Sequence, residues 1–307
     1  MGLPQAIIIP ESQQYSLFVT LKLVDREANA GPVAKVLSGV PDLVNDIGRL
    51  DPDAYLTSAV AFGPEYWAMV TPSAGPPGLR SFAPLGEGAL AAPATDGDVL
   101  VHLNSARVDL NYECFARLWR LLEGRTMIME EVAAFRYLDA RDLTGFIDGT
   151  ENPGVGERAE IALIGDDVPE FAGGSFVMTQ RYVHDMAAWE ALSLAEQEGA
   201  IGRTKDDSVE LGDDVRPVTA HISRVVIEED GEELEIVRHS LPYGSVAGDK
   251  GLFFIAYNKN LDTFEKMLAR MFGASGDGLY DHLIDYTKPV TGAFFFAPSE
   301  TMLRTLG

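Results

Sequence analysis

Asp148 is the residue whose surroundings most suggest chemistry. It lies within Thr144-Gly145-Phe146-Ile147-Asp148-Gly149-Thr150-Glu151-Asn152-Pro153, at the midpoint of a 307-residue chain. Gly145 and Gly149 let the backbone turn tightly and approach a flat or bulky group with no Cβ in the way. The Asn152-Pro153 step then imposes an extended or turn conformation. A loop of this kind holds one carboxylate on a rigid backbone, aimed into a cavity, where it can take and return a proton. The competing reading is an ordinary glycine–aspartate turn with a solvated side chain.

Two more segments carry reactive side chains. His221 lies in RPVTAHISR, with no second His or Cys at metal-ligand spacing, which argues against a zinc site. Two readings stay open for it: a His satisfied in the core or at the surface, or the single axial ligand of an iron that a porphyrin already holds. The third segment is VRHSLPYG. If 234–240 is a strand, Arg238 and Ser240 share one face and His239 points to the other. Arg238 then either faces a cavity beside the Ser240 hydroxyl or pairs at an edge with an acid such as Glu235.

The elements that must position these residues fall into two similar halves. Residues 16–24, 55–62, 98–105 and 126–138 read as strands. Helical spacing runs over 32–50, where Pro41 predicts a kink, and over 110–122. The stretch 71–97 is rich in Pro, Gly and Ala and reads as a surface excursion. The first half is thus β-α-β-β-α-β. The second repeats it with strands at 174–183, 234–240, 251–258 and 290–298, a helix opened by the Ser193/Glu196 capping box, and a helix at 261–272. VLVHLNS followed by FARLW resembles LFFIAYN followed by MLARMF, which supports duplication. The expected fold is α+β: tandem ferredoxin-like βαββαβ units with antiparallel sheets packed face to face, of the dimeric α+β barrel type. The expected division is 1–143 and 144–307. Insertions at 184–233 and 273–288 draw the site to the second half.

Composition narrows the function. The formal charge is −23, from 47 acids against 24 Lys plus Arg. That repels nucleic-acid phosphates and anionic membranes. A single Cys, Cys114, excludes an internal disulfide and a Cys-rich metal site. No apolar run approaches the ~20 residues that span a bilayer, and MGLPQAIIIPESQQ lacks the features of a secretory signal. The expected location is the cytoplasm.

Taken together, GFIDGTENP around Asp148, HISR at His221, Arg238-x-Ser240-x-Pro242-Tyr243-Gly244 and the closing YTKPVTGAFFFAPS resemble the dye-decolourising peroxidase family, in its bacterial class. The motifs span 144–298, and the duplicated pattern extends the likeness to the N-terminal half. The resemblance implies one non-covalent haem b per chain, consistent with the absence of C-x-x-C-H. It implies His221 as the proximal iron ligand, with Asp148 and Arg238 on the distal face and Ser240 beside them, where some relatives carry Asn. It also brings GDGLYDHLIDYT near the haem, so that Asp281, ahead of Asp285 on a shared helix face, becomes the candidate partner of the proximal His. Arg203 and the Gly149-Thr150-Glu151 backbone are candidates for the haem propionates, although Arg203 equally suits a helix C-terminus.

The implied activity is reduction of hydrogen peroxide with oxidation of small aromatic or dye-like donors, in a homo-oligomer. The alternative is a haem-handling protein with incidental peroxidase activity. Heterolysis of the O–O bond needs a base that moves a proton between the two oxygens, which suits Asp148, and a fixed cation for the charge that builds up, which suits Arg238. Arg238 is expected to keep Asp148 ionised, giving a mildly acidic optimum. The short tail TMLRTLG argues against packaging in an encapsulin shell.

Overall fold

The computed structural model describes residues 2–71 and 75–306. Of the expected 71–97 excursion, residues 72–74 lie outside the described residues; the rest holds one 3-10 turn, Gly88–Leu90, and a bridge between Leu85 and Ala92.

The first half runs β1 (Tyr15–Leu23), α1 (Arg26–Ser38), α2 (Val40–Gly48), β2 (Thr57–Phe62), α3 (Pro64–Val70), β3 (Val99–Ser105), α4 (Val108–Leu122) and β4 (Thr126–Phe135). The kinked helix expected over 32–50 is two helices. Pro41 sits in the first turn of α2 rather than inside a longer helix, because a missing N–H costs nothing there. The second half runs α5 (Arg158–Ala162), β5 (Ser175–His184), α6 (Met186–Glu190), α7 (Leu194–Ile201), α8 (His221–Val225), β6 (Leu241–Gly244), β7 (Lys250–Asn258), α9 (Leu261–Met271), β8 (Ala293–Ala297) and α10 (Glu300–Leu303). The Ser193/Glu196 capping box is present at the start of α7.

All eight long strands join one antiparallel sheet, in the order β5-β8-β2-β3-β1-β4-β6-β7, and β7 pairs back to β5 to close it. The halves therefore share one barrel instead of stacking two sheets. Going round the barrel in one direction, the halves read β2-β3-β1-β4 and then β6-β7-β5-β8, each in the order second, third, first, fourth strand. Each seam between halves is narrow: Ala134 faces Tyr243 at one, Phe62 faces Phe296 at the other. Arg181 of β5 reinforces the first seam, donating to Glu130 at 2.6 Å and to the Tyr243 hydroxyl at 2.9 Å.

Alternation along each strand sorts residues between the two faces. Phe18, Val177, Phe253, Ile255 and Phe295 fill the barrel, with Phe18 stacked on Phe253. Leu17, Val19 and Leu21 point outward, under the helices.

The strand expected over 234–240 is interrupted. Val237–Arg238 pairs with β7, and pairing resumes in the same register at Leu241. Between them the Ser240 hydroxyl accepts from the Ile255 amide at 3.2 Å, taking a place that a backbone carbonyl would fill in an unbroken ladder. Facing is as expected from alternation: Val237, His239 and Leu241 are buried, while Arg238 and Ser240 are half-buried.

Candidate active site

The central loop is braced from within. Asp142 accepts from the Thr144 amide at 3.0 Å and from its hydroxyl at 2.6 Å. Arg141 donates to the Gly145 carbonyl, and Trp189 donates to the Thr144 carbonyl. Gly145 and Gly149 have φ of +90° and +82°, a region that a side chain disfavours. A Cβ on Gly145 would in addition come within 2.6 Å of Lys205 Cε.

Asn152 ties this loop to the third motif. Its amide accepts from the Arg238 N–H at 2.9 Å and donates to the Arg238 carbonyl at 3.0 Å. Two bonds from one planar group fix the Arg238 backbone to the loop that carries Asp148. The Arg238 guanidinium makes no hydrogen bond among the described residues and remains free to act electrostatically.

His221 opens the five-residue helix α8. Arg224 anchors that helix, donating to the Arg270 carbonyl at 3.1 Å and pairing with Asp277 at 2.8 Å. His221 Nδ1 lies 2.6 Å from Asp281 Oδ2. Asp281 is fully buried, and its other oxygen accepts from the Leu283 amide at 2.9 Å. Nδ1 is thus committed to a carboxylate, and Nε2 is left without a protein partner among the described residues. The shared helix face expected for Asp281 and Asp285 is not formed. His282–Asp285 is a single 3-10 turn that Asp281 caps, and Asp285 accepts from the Tyr280 hydroxyl instead.

His221, Asp148 and Arg238 line one cavity, with about 1460 Å³ of atom-free space including its mouth. It opens between the outer face of β5 and β7 and the helices α8 and α9. Met178, Leu252, Phe254, Met267 and Met271 give it apolar walls. Gly149, Thr150, Glu151 and Arg203 line it too, and the side chains of the last three are already engaged. Arg203 pairs with Glu151, donates to Glu210 at 3.0 Å and to the Ser208 carbonyl at 2.6 Å, while Thr150 bonds the Ser208 hydroxyl. Arg203 does not cap α7, which ends on the left-handed Gly202. Ser240 lines a neighbouring cleft rather than this cavity.

Burial pushes the Asp148 carboxyl above the usual carboxylate range; the Arg238 charge opposes this and the Asp142 charge adds to it. Arg238 thus favours the ionised form of Asp148, while desolvation works against it.

Sequence reasoning missed a second titratable pair in the same cavity. His184 Nε2 lies 3.1 Å from Asp142, and its Nδ1 lies 2.7 Å from the Thr287 hydroxyl. Burial works against the Asp142 carboxylate, but His184 and Thr144 outweigh it and hold its pKa below the ordinary value. The Asp142-Leu143-Thr144 turn signature was available in the sequence; the His184 contact, across 42 residues, was not.

Comparison with known proteins agrees with this geometry. The family model for the N-terminal region of Dyp-type peroxidases matches residues 5–136, and that for the C-terminal region matches 139–302. The chain belongs to the Dyp-type peroxidase family. The two matches together run from residue 5 to residue 302. The dye-decolorizing peroxidase of Mycolicibacterium paratuberculosis is 38% identical over 302 residues, 98% of this chain and 84% of that one. Among solved structures, a dye-decolorizing protein from V. cholerae is 49% identical, with a TM-score of 0.93 over 98% of each chain. A DypB variant from Rhodococcus jostii RHA1, solved in complex with heme, is 40% identical with a TM-score of 0.95 over 99% of each chain. The encapsulated DyP-type peroxidase of Mycobacterium smegmatis is 36% identical with a TM-score of 0.95, over 99% of this chain and 98% of that one. Among the described residues no helix is long and apolar enough to cross a membrane.

Proposed function

We propose that this chain is a haem peroxidase that reduces hydrogen peroxide and oxidises small aromatic or dye-like donors. The observation that carries the proposal is one largely apolar cavity lined together by His221, Asp148 and Arg238. Its residues fit a haem. The walls are apolar enough for a macrocycle, and the free Nε2 of His221 is a ligand whose other nitrogen is already fixed by a buried carboxylate. When bound, haem supplies the redox centre at which peroxide reacts.

The protein supplies the rest. Asp281 holds the His221 ring in one tautomer and one orientation. Asp148, once ionised, takes a proton from peroxide and returns it to the departing oxygen, directly or through a water. The Arg238 guanidinium opposes the negative charge that builds as the O–O bond breaks. Ser240 keeps Arg238 at its register position through the Ile255 amide. Gly149, Thr150, Glu151 and Arg203 form the polar rim against which propionates would lie.

The equal strand order of the halves supports reading them as tandem ferredoxin-like units, divided as 1–143 and 144–307 with the haem in the second. A cytoplasmic homo-oligomer is the assembly we favour from the family likeness. The test is rapid mixing of the haem-loaded protein with peroxide. Asp148→Ala should slow peroxide consumption by ~10²–10⁴, and Arg238→Leu by ~10²–10³. Wild-type rates in both variants would leave a haem-handling protein as the better reading.

A further inference from the structure

Behind the distal couple lies a second, polar cleft of about 820 Å³. Asp148, Gly149 and Arg238 line both spaces and form the partition between them. The other walls include Glu11, Ser12, Arg136, Tyr137, Arg141 and Arg158.

The charges of this cleft run against those of the molecule. The chain as a whole carries −23, yet the cleft sets four guanidinium groups against two carboxylates. Arg158 is matched by Glu11, at 2.5 Å. Arg141 spends its donors on the carbonyls of Gly145, Lys205 and Asp206, which leave its charge uncompensated. The guanidinium of Arg136 is exposed and has no hydrogen-bond or ion-pair partner among the described residues; nor has that of Arg238. Most arginines of this acidic chain found a carboxylate, and here two were left open on one concave surface. The repulsion of the distant acids is screened beyond ~10 Å at 0.1 M salt, so an anion inside the cleft responds mainly to these arginines.

We infer that the cleft is a binding site for a small oxyanion of the carboxylate or sulfate kind, clamped between Arg136 and Arg238. A guanidinium presents paired N–H donors that match two oxygens of such an anion. Bound there, the anion takes hold of Arg238 from behind and draws it from Asp148. Peroxide reduction then weakens because its fixed cation is shared. This last consequence rests on the haem-peroxidase reading; the binding itself does not.

The experiment is calorimetric titration of the haem-loaded protein with sodium sulfate and, separately, sodium acetate, at ionic strength held constant with sodium chloride. One site is expected, with affinity reduced at least tenfold in Arg136→Leu and unchanged in Arg120→Leu, an exposed arginine on the far helix α4. The tighter of the two probes tells an inorganic oxyanion from the carboxylate of an organic acid. Absence of binding, or equal affinity in Arg136→Leu, would overturn the site. In a second arm, sulfate should raise the KM for peroxide several-fold in the wild type and leave it unchanged in Arg136→Leu. Arginine-dependent binding with an unaltered KM would remove the link to Arg238 while keeping the site; loss of peroxide turnover in the absence of any anion would instead count against the haem-peroxidase reading.

Discussion

The two halves of this barrel carry their strands in the same order and their main helices on the same outer face, yet one is filled and the other is hollow. In the N-terminal half, Val19, Leu21, Val99 and Val101 join Val33, Leu37, Leu118 and Leu122 in one buried cluster between sheet and helices. In the C-terminal half, the corresponding outer face of β5 and β7 offers Met178, Tyr182, Leu252 and Phe254 to a cavity. Three helices, α1, α2 and α4, cover the first sheet face. The second faces α9 and the single-turn α8 across the cavity. The comparison teaches that the site was made by withholding packing on one face of a repeated unit. The barrel interior stays closed in both halves.

The halves should differ most in what a polar substitution does. Asp148 has no counterpart in the N-terminal half, and its carboxyl is pushed above the usual range by burial. Its ionised form prevails only above that raised pKa, so the peroxide-limited rate should fall as pH drops through it. Asp148→Asn should lower the rate by ~10²–10⁴ and flatten that acid limb. The stability sign is opposite. A carboxyl whose pKa is raised by folding stabilises the fold below its unfolded pKa, and the contribution is lost as pH rises through the folded pKa. At pH 7 the haem-free Asp148→Asn variant should therefore melt above the wild type, and at pH 3 it should not. A pH–rate profile and melting curves at both pH values check this.

A smaller effect is expected behind His221. Asp281→Asn keeps the shape and the cap but removes the charge facing Nδ1, and should cost about 10–100-fold in haem affinity or peroxide turnover. Equilibrium haem titration measures it, and the matching change Asp285→Asn should do nothing.

The smallest contrast compares packing directly. Leu118→Ala, in the filled half, should destabilise the haem-free protein by about 2–5 kcal/mol. Leu252→Ala, on the cavity wall and already half-exposed, should cost about 1 kcal/mol. Equal losses in urea unfolding would mean that the cavity is packed in solution.

Much of this was legible in the chain. Gly145 and Gly149 announced a loop that needs positive φ, and alternation at Val237-Arg238-His239-Ser240 put Arg238 and Ser240 together. The strands of each half were visible because local alternation carries them. The α+β barrel type was expected, but how the halves close into one sheet was not, since each seam rests on a single registered pair, 134 with 243 and 62 with 296, and no local pattern encodes it. Asp281 was identified beside His221 by the wrong geometry: a 3-10 turn, which helical spacing does not describe, brings it there. His184 and Asp142 meet only through the fold, and the balance between burial and Arg238 at Asp148 depends on desolvation that a sequence does not display.

The most direct test of the account is the absorbance spectrum of the protein titrated with haem, in the wild type and in His221→Ala. The wild type should take up one haem per chain and develop the Soret band of a histidine-ligated haem, while His221→Ala should bind far more weakly and give a different band. An identical spectrum and stoichiometry in the variant would contradict the placement of the haem on His221.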